Sequence, residues 1–324
     1  MIYYFIAGLI LTVILLKVYI DKISKTKFFK KAENIDSIKK PCIQQLHKHK
    51  SSTPSMGGIA MNMTLLILTI IYFIITKKIL WIGIILLSYG MMGFIDDYIK
   101  LKKTRDGVTP KEKLLGLTVI SIAFAAYFYF SGQVVPQIKI PFISGEINVS
   151  VPIYLIILVF LITVASNSMN ITDGLDGLAL GIGSIVLGFI IYYAHNINDT
   201  EALFIAIVLE SACLATLAFN RHPAKIFMGD TGSLMLGAGI AVLLIRLRIP
   251  LWIFLLLAVC LFETFSVILQ LFSLKFFKRK IFKIAPFHHH LEKCGWKETA
   301  IVYSFWGVTV IFCLLSYLGL RNVI

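Results

Sequence analysis

Long apolar runs, separated by short polar segments, dominate this chain. Ten runs are each 15 to 23 residues long. Their apolar side chains lie all around a helix rather than along one stripe, which is typical of helices that face lipid. We predict ten transmembrane helices, at residues 1–20, 57–76, 79–95, 114–131, 151–166, 177–194, 202–219, 233–247, 250–272 and 299–319. An even number of spans puts both ends of the chain on one side of the membrane.

The composition agrees with this pattern. Of the 324 residues, 58% are hydrophobic and 15% are charged, whereas a soluble domain has about 45–50% apolar and about 25% charged residues. A soluble globular enzyme, a disordered chain and a secreted disulfide scaffold are therefore excluded. We predict an all-α polytopic integral membrane protein, with residues 1–324 forming a single domain.

The positive charge shows which way the chain faces. The net charge is +14, and 25 of the 31 Lys and Arg residues lie at one end of the predicted helices or in the loops there. By the positive-inside rule these loops are cytoplasmic, so both termini are extracytoplasmic. The five cytoplasmic loops are predicted at residues 21–56, 96–113, 167–176, 220–231 and 273–298.

One outer loop has a strand-like pattern. Residues 137–140 and 146–149 alternate polar and apolar side chains, and Ser144-Gly145 lies between them. This pattern predicts a small β-hairpin on the outer face, with a structural role.

Most carboxylates lie on the same side as the positive charge. Of the 17 acidic residues, 13 lie in or at the edges of the cytoplasmic loops, including Glu263 low in the ninth helix. Asp96 and Asp97 are adjacent at the predicted end of the third helix. Two neighbouring carboxylates repel each other unless they share a cation or a proton. A solvated helix end beside a basic loop explains the pair equally well.

A second polar segment interrupts the apolar pattern after the fifth predicted helix. Asn167, Asn170, Asp173 and Asp176 recur every third residue, and the segment contains no Lys or Arg. If it is helical, the four side chains share one face and need a partner from elsewhere. Gly174 permits the close approach of a ligand or another backbone. Capping of the next helix would explain one of these residues, but not four.

Two helix starts contain glycine and polar residues. Gly229-Asp230 precedes the predicted eighth helix, where free N–H groups suit phosphate and the carboxylate suits a cation that bridges to phosphate. The segment from Thr53 to Gly58 opens the second helix and follows Lys48 and Lys50, which again suits an anion. Simple N-capping is the alternative at both places.

The last cytoplasmic loop contains three consecutive histidines, His288, His289 and His290. Adjacent residues point in different directions on a helix, so we favour substrate binding over a zinc site. Glu263 and Gln270 lie seven residues apart and share one face of the ninth helix. Glu210, within the seventh helix, suits a buried hydrogen bond between helices. Together, the polar clusters indicate a magnesium-dependent reaction on a phosphorylated substrate at the inner membrane face.

At these residues the chain resembles the polyprenyl-phosphate N-acetylhexosamine-1-phosphate transferase family, also called glycosyltransferase 4. Matching stretches occur in family order across nearly the whole chain: KSSTPSMGG, GFIDDYIK, NSMNITDGLDGLA, FNRHPAKIFMGDTGSLMLG, ETFSVILQ and APFHHHLEKCGW. The last stretch resembles the branch that takes UDP-MurNAc-pentapeptide. The resemblance implies transfer of phospho-MurNAc-pentapeptide to undecaprenyl phosphate, giving lipid I and UMP, with Mg2+ as cofactor. It also implies a homodimer in the bacterial inner membrane.

The resemblance also implies roles for individual residues. Asp230 would bind magnesium, and Asp96, Asp97 and Asp230 would be the catalytic residues. Phe227 would stack near uracil. The nucleotide and diphosphate pocket would comprise Lys50, Thr53, Asn170, Asp173, Gly174, Asp176, Asn220 and Phe227. The sugar-phosphate region would be contacted by Gln270, His288, His289 and His290.

Two departures and two alternatives accompany this interpretation. Ser52 and Ser304 stand where the family usually has Gly and Arg, but neither belongs to the acidic set. A related enzyme that uses UDP-GlcNAc would share the acidic motifs and differ in the histidine loop. A lipid transporter or lipid-binding membrane protein would need polar residues near the middle of the membrane, whereas here they gather at one face.

Overall fold

The computed structural model describes residues 1–23, 53–102, 107–133 and 135–321. Ten of its helices are long and apolar enough to cross a membrane, which confirms the predicted polytopic α-helical fold. We number the helices of the described residues α1 (Ile2–Val18), α2 (Gly58–Thr76), α3 (Trp81–Lys102), α4 (Pro110–Phe130), α5 (Val151–Thr172), α6 (Leu178–Asn196), α7 (Thr200–Asn220), α8 (Gly229–Arg246), α9 (Ile253–Leu256), α10 (Ala258–Phe276), α11 (Phe287–Lys293) and α12 (Glu298–Arg321). A π-helical turn, Tyr19–Ile23, extends α1, and a 3-10 turn, Pro250–Trp252, precedes α9.

Several helices extend beyond their apolar runs, so the predicted boundaries need correction. The helix that was predicted to end at residue 95 continues to Lys102, and the one predicted to end at residue 166 continues to Thr172. The eighth span begins at Gly229 rather than at residue 233. An apolar run measures the length that lies in lipid, whereas backbone hydrogen bonding continues through polar residues. Asp96, Asp97, Asn170 and Asp230 therefore lie on helices, not in loops.

The ninth span also differs from the prediction, which was one helix over residues 250–272. A 3-10 turn and the short helix α9 come first, and the long helix α10 begins at Ala258. Trp252 is fully buried, and its indole N–H donates to the carbonyl oxygen of Ser316, 3.0 Å away in α12. The segment before α10 thus packs against the last helix instead of extending the span.

The predicted β-hairpin is confirmed, and its position on the outer face stays a prediction. Strands β1 (Gln137–Lys139) and β2 (Glu146–Asn148) are antiparallel, with Ile138 opposite Ile147. Lys139 faces Glu146 at 3.6 Å, which is a partly exposed ion pair of small energetic value.

Helix α8 forms the interior of the bundle. It packs against α3 and α5, and also against α2, and it is the most buried of the ten spans. Helices α1, α4, α10 and α12 are the least buried and present apolar side chains outward, as lipid-facing helices do. The start of α8 is therefore enclosed by neighbouring helices that can bring polar side chains to it.

Two glycines permit this close packing. A Cβ atom added at Gly58, in α2, would lie 2.1 Å from the backbone nitrogen of Gly232 in α8. A Cβ atom at Gly93, in α3, would lie 2.2 Å from the carbonyl oxygen of Asp230. Only glycine allows backbones to approach so closely. These contacts fix the positions of α2 and α3 against the first turn of α8.

Candidate active site

Three carboxylates meet where α3 ends and α8 begins. Asp96, Asp97 and Asp230 each offer an oxygen, and these oxygens lie within 4.8 Å of one another. The Asp96 and Asp97 side chains are buried, and Asp230 is partly buried. Like charges this close are stable only with cations or hydrogen-bond donors around them.

Asp97 satisfies the N-terminus of α8. One of its oxygens accepts the backbone N–H of Thr231 at 2.9 Å and the Thr231 hydroxyl at 2.6 Å. The other accepts the backbone N–H of Asp230 at 3.2 Å. We predicted that free N–H groups at this helix start would suit a phosphate; this is wrong for these two donors, because a carboxylate from α3 already caps them.

Two lysines lie among the three carboxylates. The Nζ atom of Lys100 lies 2.5 Å from Asp96 Oδ2 and 3.0 Å from Asp230 Oδ2. The Nζ atom of Lys113, at the start of α4, lies 2.6 Å from the same Asp230 oxygen. Sequence reasoning missed both lysines as site residues. Lys100 is four residues after Asp96 on a helix, which is a detectable signal, but nothing in the sequence distinguishes Lys113 from its basic neighbours.

Asn170 joins α5 to this cluster. Its amide nitrogen donates to Asp230 Oδ1 at 2.8 Å and to the Ser233 hydroxyl at 2.9 Å, and its oxygen accepts from Lys113 at 2.9 Å. The expectation that this polar segment needs a partner from elsewhere is met for Asn170 by residues of α4 and α8. The sequence could not show this, because the partners lie 57 and more residues away.

Asp173 lies just beyond the end of α5, at the edge of the cluster. Removal from water, and then the negative charges of Asp230 and Asp97, raise the pKa of Asp173 to about 8, while a hydrogen bond from the Gly229 N–H opposes the rise. The predicted shared helical face holds only for Asn167 and Asn170, since α5 ends at Thr172. A nearby cation would favour the ionised form of Asp173.

Asp176 belongs to a separate network. Its Oδ2 accepts the backbone N–H of Ala224 at 3.0 Å and lies 3.1 Å from Nδ1 of His222. Its own backbone N–H donates to Glu298 at 2.7 Å, at the start of α12. The expectation of a partner from elsewhere is met here too, by distant residues of the same chain. Asp176, His222 and Glu298 form the second group in the described chain whose ligand atoms could share a metal ion.

Asn220 ties the turn after Asp176 to the loop before α8. Its side-chain oxygen accepts the N–H of Gly177 at 2.9 Å, and its nitrogen donates to the carbonyl of Ile226 at 2.8 Å. The Thr53 hydroxyl donates to the carbonyl of Ala224 at 3.3 Å, in the same loop. Contacts of these side chains with a nucleotide stay predictions.

The start of α2 does not offer free donors to an anion. The N–H groups of Gly57 and Gly58 donate to the carbonyl oxygens of Phe227 and Met228, each at 2.8 Å. The prediction that the start of α2 suits an anion is therefore wrong for the N–H groups of Gly57 and Gly58. Phe227 is half-buried beside them, and its stacking with uracil stays a prediction. Lys50 lies outside the described residues.

The three histidines have separate partners. His288 faces Glu263 at 3.1 Å, and His289 faces Glu292 at 2.6 Å. Nδ1 of His290 accepts the backbone N–H of Lys283 at 3.0 Å. Their rings thus point in different directions, which agrees with our preference against zinc. Substrate contacts of all three stay predictions.

Gln270 holds the loop that leads to α11. Its side-chain oxygen accepts the N–H groups of Ile281 and Phe282, at 3.1 and 2.9 Å, and its nitrogen donates to the carbonyl of Phe282 at 3.1 Å. This support role was not visible in the sequence, and contact with the sugar-phosphate stays a prediction.

The family model and the similar proteins agree on one family for this chain. Residues 78–248 match the family model described as glycosyl transferase family 4. The phospho-N-acetylmuramoyl-pentapeptide-transferase of Bacillus pumilus is 36% identical over 316 residues, which cover 96% of this chain and 95% of that protein. The enzymes of the same name from Acetivibrio thermocellus and Bacillus subtilis are 38% and 36% identical, over 85% and 83% of this chain and 84% of each relative. The chain therefore belongs to glycosyl transferase family 4 and, within it, to the phospho-N-acetylmuramoyl-pentapeptide-transferases.

Proposed function

We propose that this protein transfers phospho-MurNAc-pentapeptide from UDP-MurNAc-pentapeptide to undecaprenyl phosphate, releasing UMP and forming lipid I for peptidoglycan synthesis. The observation that carries this proposal is the meeting of three carboxylates and two lysines at the boundary of two membrane spans. A site there can receive a water-soluble nucleotide from one side and a lipid phosphate from the bilayer. The names of the relatives support the choice of substrates.

We place this site on the cytoplasmic face. The ends of α3 and α5, the starts of α8 and α12, and helix α11 lie on one side of a ten-span bundle. The topology predicted from the sequence assigns 25 of the 31 Lys and Arg residues to that side, and the positive-inside rule assigns such a side to the cytoplasm. A nucleotide-sugar made in the cytoplasm would reach the site directly.

We propose magnesium as the cofactor, held by Asp230 with Asp96 and Asp97. Magnesium prefers oxygen ligands and is often bound by one or two carboxylates plus substrate phosphates. The oxygens of the three carboxylates lie within 4.8 Å of one another, and two ammonium groups already lie against Asp96 and Asp230, so the cluster attracts cations. When bound, the ion would neutralise charge on the diphosphate and on the departing UMP.

Lys100 and Lys113 can lower the main barrier of the reaction, which is the electrostatic repulsion between two anionic substrates. Lys100 and Lys113 both contact Asp230, and turnover would move one or both onto the phosphates of the nucleotide. Asn170 holds Asp230 from the other side and so keeps the carboxylate oriented. Positioning of this kind supplies much of the rate of phosphoryl transfer.

We propose direct attack of the lipid phosphate, with Asp96 as the group that accepts its proton. Asp97 accepts three hydrogen bonds from the start of α8 and is held in place by them. Asp96 accepts one backbone N–H, from Val108 at 2.6 Å, and its carboxylate also contacts Asp230 and the ammonium group of Lys100. A carboxylate fixed as a helix cap is a poor nucleophile, so an intermediate on Asp97 is disfavoured.

The deciding experiment measures UMP release by the purified protein in lipid nanodiscs. UMP should appear with UDP-MurNAc-pentapeptide, undecaprenyl phosphate and Mg2+ together, and omission of the lipid phosphate or addition of EDTA should abolish it. Release from UDP-GlcNAc instead would identify the related sugar-phosphate transferase. No release from either nucleotide-sugar would refute the proposal. A homodimer, which the resemblance implies, stays a prediction that light scattering of the same sample checks.

A further inference from the structure

Glu263 and His288 form a fully buried pair between α10 and α11. Both side chains are completely inaccessible to solvent. The Glu263 carboxylate accepts the backbone N–H of His288 at 3.1 and 3.3 Å, and Nδ1 of the imidazole lies 3.1 Å from Oε2. A carboxylate that receives donors in this way is acting as an acceptor, so Nδ1 of His288 carries the hydrogen.

The other ring nitrogen of His288 has no hydrogen-bond partner among the described residues. Its Nε2 atom is buried, although a buried polar atom normally has a partner. A second hydrogen, on Nε2, would make the ring an imidazolium cation whose buried Nε2–H has no acceptor. This costs more free energy than a buried lone pair without a donor. With the hydrogen on Nδ1, the ring is therefore neutral and Nε2 presents an unused acceptor.

This acceptor lies against the turn that carries two of the predicted substrate-binding residues. A Cβ atom at Gly174 would lie 2.3 Å from Nε2 of His288, so the ring edge packs directly on the glycine. Gly174 follows Asp173, whose carboxylate interacts with Gly229 and with the acidic cluster. Gly174 is itself exposed. A small shift of this turn would open Nε2 to a molecule bound beside it.

We propose that Glu263 is a positioning residue of the transferase site: it holds His288 with Nε2 as an acceptor, and a hydroxyl or amide N–H of the phospho-sugar donates to Nε2 when the Gly174 turn moves. The proposal rests on the proposed function, because it needs a phospho-sugar at this turn. Two adjacent histidines would then have different roles: His288 contacts the substrate, whereas His289 is paired with Glu292 within α11. Glu263 would act on the reaction only through His288.

The variant Glu263→Gln separates this role from simple packing. Glutamine has nearly the same shape, and its oxygen can still accept the backbone N–H of His288. Its NH2 group then faces Nδ1, which must become the acceptor, so the hydrogen moves to Nε2. The variant thus keeps the contact between α10 and α11 and reverses the hydrogen-bonding character of Nε2.

The test combines kinetics with 15N NMR of histidine-labelled protein in nanodiscs. In the wild type, the Nε2 signal of His288 should be of the unprotonated type, and it should shift on addition of UDP-MurNAc-pentapeptide but not of UMP. In Glu263→Gln the Nε2 signal should be of the protonated type. The value of kcat should fall about 10-fold or more, as for other residues that orient a functional histidine. The signal is assigned by its loss in His288→Asn.

Two further variants complete the design. His288→Asn keeps a side-chain N–H facing Glu263 but has no atom at the Nε2 position, so adding Glu263→Gln to it should cause no further fall in kcat. Glu210→Gln is the matched control: it makes the same substitution at another buried glutamate, in α7, and should keep wild-type kcat.

The outcomes are distinguishable. Unchanged kcat in Glu263→Gln, additive effects in the double variant, or a wild-type Nε2 signal that ignores the full substrate would each overturn the proposal. The wild-type titration needs no variant, so misfolding of Glu263→Gln cannot obscure the result. Failure of the wild type to release UMP would instead overturn the proposed function, while the NMR signals would still report whether Glu263 sets the form of His288.

Discussion

The three carboxylates of the site differ in what surrounds them. Asp97 is enclosed by donors of the α8 backbone, and Asp230 is surrounded by two ammonium groups and the amide of Asn170. The first arrangement is that of a helix cap, and the second is that of a cation-binding carboxylate. Two neighbouring variants should therefore affect the protein in different ways.

Asp230→Asn should abolish magnesium-dependent UMP release while the protein remains folded. The amide keeps the shape of the side chain but removes the charge that a divalent ion needs, and it reduces repulsion from Asp96 and Asp97. Mg2+ should raise the thermal midpoint of the wild type by mass action and leave that of the variant unchanged. Glu146→Gln, in the outer hairpin, is the control and should behave as wild type. Near-normal turnover in Asp230→Asn would remove this residue from the metal site.

Asp97→Ala should destabilise the fold as well as abolish activity. It leaves two backbone N–H groups and the Thr231 hydroxyl at the start of α8 without their acceptor, and loss of a cap costs about 1–2 kcal/mol. Thermal unfolding of both variants in lipid nanodiscs should give a lower midpoint for Asp97→Ala than for Asp230→Asn. Equal midpoints would show that the capping contacts do not stabilise α8.

At the scale of elements, the site depends on how closely α2 and α3 approach α8. The N–H groups at the start of α2 donate to residues 227 and 228, and the Asp97 side chain of α3 caps α8, so the three helix ends form one hydrogen-bonded unit. Glycines at the crossing points make these distances possible. A change in the spacing of the helices should therefore change the chemistry without touching a catalytic side chain.

Gly93→Ala tests this dependence. The added methyl group would lie 2.2 Å from the carbonyl oxygen of Asp230, so α3 or α8 must shift. Overpacking of this kind costs about 1–3 kcal/mol, and the shift should lower kcat at least 10-fold because Asp230 moves with the backbone. Gly188→Ala, in α6, would meet no atom within 4 Å apart from the backbone of its own helix, and it should keep stability and activity. Wild-type kcat in Gly93→Ala would show that the spacing is not critical.

At the scale of the whole molecule, the proposed orientation makes a separate prediction. Cys294 is exposed in the segment between α11 and α12, on the same side as the acidic cluster. Cys42 belongs to the first predicted cytoplasmic loop and is replaced by serine so that it does not react. In this Cys42→Ser background, a membrane-impermeant maleimide should label Cys294 in inverted vesicles but not in intact cells. A cysteine introduced by Lys139→Cys, in the outer hairpin, should show the opposite pattern. Labelling of Cys294 in intact cells would place the site on the outer face.

Much of this architecture could be read from the chain. The ten spans and the outer hairpin follow from local patterns, because lipid exposure and strand alternation act on each segment separately. The ends of α3, α5 and α8 could not be placed correctly, since polar residues continue a helix when other helices satisfy them. Lys113 was missed for a related reason: its partners, Asn170 and Asp230, are distant in sequence.

The order of residues along the chain is enough to predict that this protein lies in a lipid bilayer, how many spans it has and on which face its polar residues gather. These properties depend on composition and charge, which add up along the chain without reference to its folding. The packing of the folded chain establishes which helix start is capped, which carboxylate faces the lysines and which histidine is buried against Glu263. Those outcomes depend on hydrogen bonds and ion pairs about 3 Å long between distant segments, and the packing of α2, α3 and α5 around α8 brings most of these segments together.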